Sequence, residues 1–439
     1  MNLTESETDL ENQNSIGFID PVQGDKMLGA FRVACGIKGA VVLIHAPVGC
    51  HWGVNFIERL SSVKTNASIS ALRERSVVFG GEDSLRKTIE IILKNRKKRY
   101  LILLAGSVSS IIGEDWQGVI DSVGFGFHSI AIDCGGYLGK MGDGYEECMA
   151  ELCKWMDDPE PGRDKSVPKV NLIGLQRDIV RGEADIRELI RILGLVKIDV
   201  NSVFPPATLT ELKRAPNIDL NIVLGYGTVL AKRMEERWGI PWVLFDEYPY
   251  GLVATRDFVQ GVGNRIGIDS HHMDKRFQRE EAKALKALRQ AQLYLPALYE
   301  FPVAISADLP QAKGLARFLA TEVGMDIRGI HITASPGSVD EEIGLKNICS
   351  DILFQASWDR FEILIEKRDV KLMLGSDLER HISLKKNVSL ILISYPTTSR
   401  LTLTSLPYMG FRGVLTLIEE MVNSVLAERT CPPQIPKAN

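Results

Sequence analysis

Residues 100–104 read Tyr-Leu-Ile-Leu-Leu, five positions with no polar alternation. A strand with one face in water alternates, and a strand covered on both faces does not, so this run points to a parallel sheet held between helices. The same texture recurs on either side at Ala40–His45 and Ile130–Asp133. Further along it returns at Val170–Leu175, Leu220–Leu224, Pro241–Phe245, Val303–Ala307, Lys371–Leu374 and Val388–Ile393. Amphipathic patterns at helical spacing fill the intervals, as in Leu85–Lys94, Ile186–Leu193, Leu230–Trp238 and Gln311–Val323. This alternation specifies βα units in doubly wound α/β sheets.

At 439 residues the chain exceeds what one hydrophobic core supports. Asp157–Pro168 (DDPEPGRDKSVP) is a charged, Pro-rich seam, and Arg265–Arg289 is polar and helix-forming. We expect a polar tail at 1–15, α/β domains at 16–165, 166–290 (the second ending in a helical bridge) and 291–439, and clefts between the lobes. Ligands of such sheets gather at the carboxyl ends of the strands.

Composition excludes several classes. Apolar residues make up 45% and charged residues 25%, the balance of a globular protein. Lys+Arg total 52 against 56 Asp+Glu, so no basic field is available for nucleic acid or an anionic membrane. Seven cysteines, an odd number thinly spread, argue for a reducing compartment rather than a disulfide framework. The N-terminal MNLTESETDLENQNS has no apolar h-region, and no apolar stretch is long enough for about 30 Å of hydrocarbon. The expectation is a soluble, cytoplasmic protein.

Familiar catalytic signatures are missing. There is no GxxxxGK[ST], GxSxG or HExxH, so no nucleotide site is expected on this chain. Gly225-Tyr226-Gly227 follows a strand, but Leu230 occupies the place of a third fingerprint glycine, and the segment reads as a turn. His271-His272 has no carboxylate or cysteine at ligand spacing and reads as a solvated pair.

Cysteine placement is more informative. Ala34-Cys35-Gly36 opens one strand and Gly49-Cys50-His51 follows its end. Thiolates in glycine-flanked strand-end loops suit an iron–sulfur cluster, whereas a buried free cysteine otherwise serves as a small hydrophobe. Both readings stand on the residues alone, and two cysteines cannot complete a cluster. Cys134 follows a strand and precedes Gly135-Gly136, a conditional third candidate. Cys148 and Cys153 read as structural, and Cys349 and Cys431 as inert.

The order of motifs resembles the nitrogenase component 1 family. Cys35-Gly36-Ile37-Lys38-Gly39 leads into His45-Ala46-Pro47-Val48-Gly49-Cys50, similar to the family's cysteine and HGPxGC. Val78-Phe79-Gly80-Gly81 and Ile111-Ile112-Gly113-Glu114-Asp115 are similar to its VFGG and IGDD segments. Leu220-Asn221-Ile222-Val223, Met234–Trp242, Tyr395-Pro396 and Gly410-Phe411-Arg412-Gly413 with Asn423 continue the series, the last resembling the β-type chain of the family.

The resemblance implies three Rossmann-like, doubly wound parallel-sheet domains. It implies a homologous partner subunit, in a hetero-oligomer rather than a homodimer, and an iron–sulfur cluster (4Fe–4S, or 8Fe–7S like a P-cluster) shared at their interface. Cys35 and Cys50 would be this chain's ligands, and a separate ATP-dependent iron–sulfur reductase would supply electrons. Dinitrogen, tetrapyrrole and small sulfur-compound reduction are the candidate reactions. The alternative is a non-catalytic scaffold for maturation of a nitrogenase-type cofactor.

Two departures from the pattern matter. Ser107 stands where the family has its third cluster cysteine, so a serine oxygen, Cys134 or the partner would have to complete the ligand set. Gly225 stands where an α-type subunit has its cofactor cysteine, and no histidine follows His381. An iron–molybdenum cofactor held in the α-type manner is therefore excluded. By the same resemblance His45 would hydrogen-bond to backbone near the cluster or move protons. Glu114 and Asp115 would cap a helix or serve docking, and His51 and Trp52 would cover the cluster from water or simply pack at the interface.

Overall fold

In the computed structural model, which describes residues 24–51, 67–95, 100–123, 128–163, 166–268, 270–337 and 344–430, the run at 100–104 lies inside a fully parallel sheet. Both of its faces are covered. Ile102 and Leu104 pack with Val42 and Ile44 against one helical layer, and Leu101 and Leu103 with Val41 and Leu43 against the other. That two-sided burial is why the run does not alternate.

The first lobe comprises α1 (Lys26–Cys35), β1 (Ile37–Lys38), β2 (Val41–His45), β3 (Ala67–Ile69), α2 (Glu74–Phe79), α3 (Glu82–Asn95), β4 (Tyr100–Ala105), α4 (Ser107–Ile112), α5 (Trp116–Val123), β5 (His128–Asp133) and α6 (Met141–Glu151). Its sheet order is β3-β2-β4-β5. Asp25 starts α1 by accepting the Leu28 N–H at 3.0 Å. Gly29 and Gly144 let α1 and α6 cross at backbone contact, since a Cβ on either would collide with the other helix's carbonyls.

The second lobe runs β6 (Lys169–Ile173), α7 (Gly182–Leu195), β7 (Asp199–Phe204), β8 (Ala207–Thr208), α8 (Leu209–Lys213), β9 (Leu220–Leu224), α9 (Thr228–Trp238), β10 (Trp242–Phe245), α10 (Gly251–Ile266) and α11 (Ser270–Gln290), with sheet order β10-β9-β6-β7. The third runs β11 (Pro302–Ala307), α12 (Leu309–Phe318), β12 (Asp326–Ile332), β13 (Ile352–Phe354), α13 (Trp358–Lys367), β14 (Leu372–Gly375), α14 (Arg380–Lys386), β15 (Ser389–Leu392) and α15 (Gly410–Thr430), with order β13-β12-β11-β14-β15. In each sheet the chain enters at an interior strand, builds one side and then returns for the other. The switch points therefore lie at the ends of β2, β6 and β11.

The lobes are tied to one another: β1 pairs with β8 in a two-stranded sheet, α9 packs on α6, and α15 packs on α7, α10 and α11. The polar stretch at 265–289 is the end of α10 and most of α11 rather than a single bridge.

Candidate functional site at the first switch point

β2 ends at His45, and Ala46-Pro47 leads into a 3-10 turn, Val48–His51, that presents Cys50. The turn is closed by the Cys50 N–H donating to the Pro47 carbonyl at 3.0 Å. Cys50 is exposed, and among the described residues a Cβ on neighbouring Gly49 would meet nothing within 4 Å. Partial burial of the thiol and the charge of Asp25 both push Cys50 above the usual thiol range.

Ser107 begins α4 at the same edge of the sheet. Its Oγ accepts the Gly136 N–H at 2.9 Å, and Asp25 lies on the other side of Gly136. Cys134 also reaches this edge, its N–H donating to the Ala105 carbonyl at 2.8 Å. Its side chain is fully buried in the core, and burial, with neighbouring Cys148, pushes the thiol up. Cys148 and Cys153 are buried too.

Cys35 is the last residue of α1, and Gly36, the helix C-cap whose N–H returns to Ala34 and Val33, leads directly into β1. Helix α1 runs down against β2, so Cys35 lies at the amino edge of the sheet and Cys50 at the carboxyl edge. Ten helical residues put roughly 15 Å between the two ends of α1. Gly36 accepts the Ala207 N–H at 3.1 Å, so Cys35 belongs to the seam with the second lobe. The structure brings Cys50 and Ser107 to one edge and leaves Cys35 apart.

Three motifs that are distant in sequence meet behind the Cys50 turn. The Glu114 carboxylate, its side chain 3% exposed, accepts from the Gly81 N–H, from Ser109 Oγ at 2.7 Å and from His45 Nε2 at 2.7 Å. Since the carboxylate accepts, Nε2 carries the imidazole proton, and Nδ1 faces Ser70 Oγ at 2.7 Å. Burial lowers His45 below its ordinary value although Glu114 opposes this. Hence His45 bonds to side chains and not to backbone. Of the two expected caps only Asp115 is one, accepting the Gly118 N–H of α5 at 2.9 Å. No local pattern in the sequence marks Glu114, Gly81 and His45 as neighbours.

Val48 of the turn, Val78 and Phe79 of α2, Ile111 of α4, and Tyr137 and Leu138 after β5 are exposed, Phe79 at 80% and Ile111 at 70%. Among the described residues no three His, Cys, Asp or Glu converge to hold a metal.

The other switch points are closed. Gly225 has φ of 75°, and a Cβ there would strike the ring of Pro310, so a cysteine at this place has no room. At the N terminus of α9, Glu146 accepts from the Gly227 N–H at 2.5 Å and the Val229 N–H at 3.2 Å. The turn reading of Gly225–Gly227 holds, and its anion-binding amides are taken by the protein itself.

Trp52, Cys431 and the 1–15 tail lie outside the described residues, as do the side chains of His51, His271 and His272. No described helix is long and apolar enough to cross a membrane.

A sequence model of the family described as nitrogenase component 1 type oxidoreductase matches residues 26–426. A light-independent protochlorophyllide reductase component from Rhodopseudomonas palustris (strain BisB5) is 26% identical over 438 residues, covering 92% of this chain and 77% of that protein. The protein of the same name from Halorhodospira halophila (strain DSM 244 / SL1) is 24% identical over 419 residues, covering 92% and 78%. A solved structure described as nitrogenase Cp1 at pH 6.5 superposes with a TM-score of 0.80 at 19% identity, over 97% of this chain and 98% of its own. That likeness bears on the fold.

Proposed function

The chain belongs to the nitrogenase component 1 type oxidoreductases, and from that premise we propose that it is the β-type subunit of a nitrogenase-like reductase. In this reading it pairs with a homologous subunit, and a separate ATP-dependent iron–sulfur reductase delivers electrons to an iron–sulfur group at their shared face. The observation that carries the reading is Cys50, an exposed thiol in the turn that follows β2 at the first switch point.

The bound group supplies one-electron transfer. Cys50 is the thiolate this chain contributes, and the partner supplies the other donors. Cys50 would hold the group as a thiolate, and burial and the Asp25 charge favour its protonated form in the absence of a metal. Ser107 holds Gly136 in place beside the turn, and Cys134 stays in the core. Glu114 fixes the tautomer of His45 and with it the strand end from which the turn departs. Since the curated relatives are named as components of protochlorophyllide reductase, a tetrapyrrole of that type is the first substrate class to assay.

The test is iron and acid-labile sulfide per chain after anaerobic co-purification with a component 1-type partner. About two or more irons per chain are expected, and Cys50→Ala loses them. Iron that persists in Cys50→Ala overturns the assignment.

A further inference from the structure

Open α/β sheets take ligands where the winding reverses, which here means the ends of β6 and β11 for the second and third sheets. A side chain from the first lobe reaches the first of these ends directly and the second through Gln176. Arg32, on α1, is buried and makes a fork onto Asp178 beyond β6, Nε to Oδ2 at 2.6 Å and Nη2 to Oδ1 at 2.7 Å. Nη2 also donates to Gln176 Oε1 at 2.8 Å. Gln176 Nε2 in turn donates to Asp308 Oδ2 at 2.5 Å, just past β11. The guanidinium sits 4.0 Å from the ring centre of Tyr395, past β15. A single cation thus ties the carboxyl edges of the second and third sheets to the first lobe.

The arrangement is unbalanced. Asp178 neutralises Arg32, while Asp308 Oδ1 is buried without a hydrogen-bond partner. Beyond the nearby Gln311 backbone N–H, the Asp308 carboxyl is linked through Gln176 to the guanidinium, whose charge it shares. Burial pushes Asp308 up to about 6, with the Arg32 charge pulling the other way. One guanidinium thus acts on two carboxylates of different lobes, and its fork is held by Asp178. Such an arrangement makes a two-position element.

We propose that Arg32 is an interlobe latch, with Asp178 as its engaged catch and Asp308 as its second, and that the crevice between the second and third sheets opens when the fork leaves Asp178. The proposal does not rest on the iron–sulfur reading, because the latch is made wholly of this chain's residues.

Amide hydrogen exchange on the full chain, without metal or partner, tests it. Residues 174–181, 308–311 and 393–399 are expected to exchange slowly and together. Arg32→Met speeds all three at least tenfold while the strand interiors at 101–104, 170–173 and 303–307 are unchanged. Asp308→Asn removes the second catch and slows exchange at 174–181 below the wild-type rate. Acceleration at one edge alone, acceleration that includes the strand interiors, or an Asp308→Asn profile equal to wild type overturns the latch. If Arg32→Met does not fold, the Asp308→Asn comparison decides by itself.

Discussion

Glu146 and Gly227 stand on different lobes, and the carboxylate of the first takes the backbone N–H of the second at 2.5 Å. The N terminus of α9 is thereby filled by a group of this chain, in the position where a nucleotide-binding sheet would hold a phosphate. Glu146→Ala should cost roughly 1–3 kcal/mol in urea unfolding, since amides and a helix dipole lose their partner. Inorganic phosphate should return part of the loss. No destabilisation, or no response to phosphate, would show that the carboxylate is dispensable there.

Cys35 and Cys50 should behave differently in one assay. Cys35→Ala should keep its full iron content, because its thiol lies at the seam of the first two lobes, at the far edge of the sheet from Cys50. Parallel loss of iron in both variants would mean that the two thiols meet in the assembled complex.

Removing Glu114 strands three donors at once. Glu114→Ala leaves the Gly81 N–H, the Ser109 hydroxyl and His45 Nε2 without their acceptor. At about 1 kcal/mol or more for each buried group left unpaired, the loss should be roughly 3 kcal/mol in chemical denaturation of the metal-free chain. Glu114→Gln keeps an acceptor oxygen and should lose less. Equal losses would assign the effect to charge alone.

Stability should respond to pH at two buried sites with opposite sign. His331 is lowered to about 4 by burial, although the Ala356 carbonyl opposes this, so its contribution is complete above its ordinary 6.5 and is lost as pH falls towards 4. Asp185 is raised to about 7 by burial, against the N–H groups of Met409 and Tyr408, so its contribution is present below its ordinary 3.8 and is lost as pH rises through 7. Asp185→Asn keeps the acceptor oxygen and cannot ionise. Its unfolding free energy relative to wild type should therefore climb as pH rises towards 7, by an amount on the order of 1–3 kcal/mol. A pH-independent difference would refute the assignment.

Gly225→Cys, which restores the α-type residue, should not create a metal site. The backbone has φ of 75° and Pro310 fills the space, so the variant should be destabilised by about 2 kcal/mol or more. A stable Gly225→Cys protein that binds iron would contradict the closed crevice.

The strands legible in the sequence are those buried on both faces, where core packing leaves no polar position. The strands that escape such a reading carry polar residues that the tertiary structure satisfies. Asn201 on β7 donates to Asn171 Oδ1 at 3.1 Å, and Arg328 on β12 pairs with Asp326 at 2.7 Å. That Cys35 also ends a helix is hidden in the sequence, because Gly36 is at once the cap of α1 and the step into β1. At the site, the Cys50 turn is legible from its motif. Its support is not, since His45 and Glu114 are 69 residues apart and Arg32 and Asp178 are 146 apart. No local periodicity records such distances.

The last helix closes a lobe that was begun more than two hundred residues earlier. Val414, Leu417, Met421 and Val425 of α15 belong to one core with Ile192 of α7 and Phe258 of α10. On the ribosome, the second lobe is synthesised well before the helix that covers it. Its apolar helix faces therefore stay uncovered until α15 emerges, and a chain that stops before residue 410 leaves that core open.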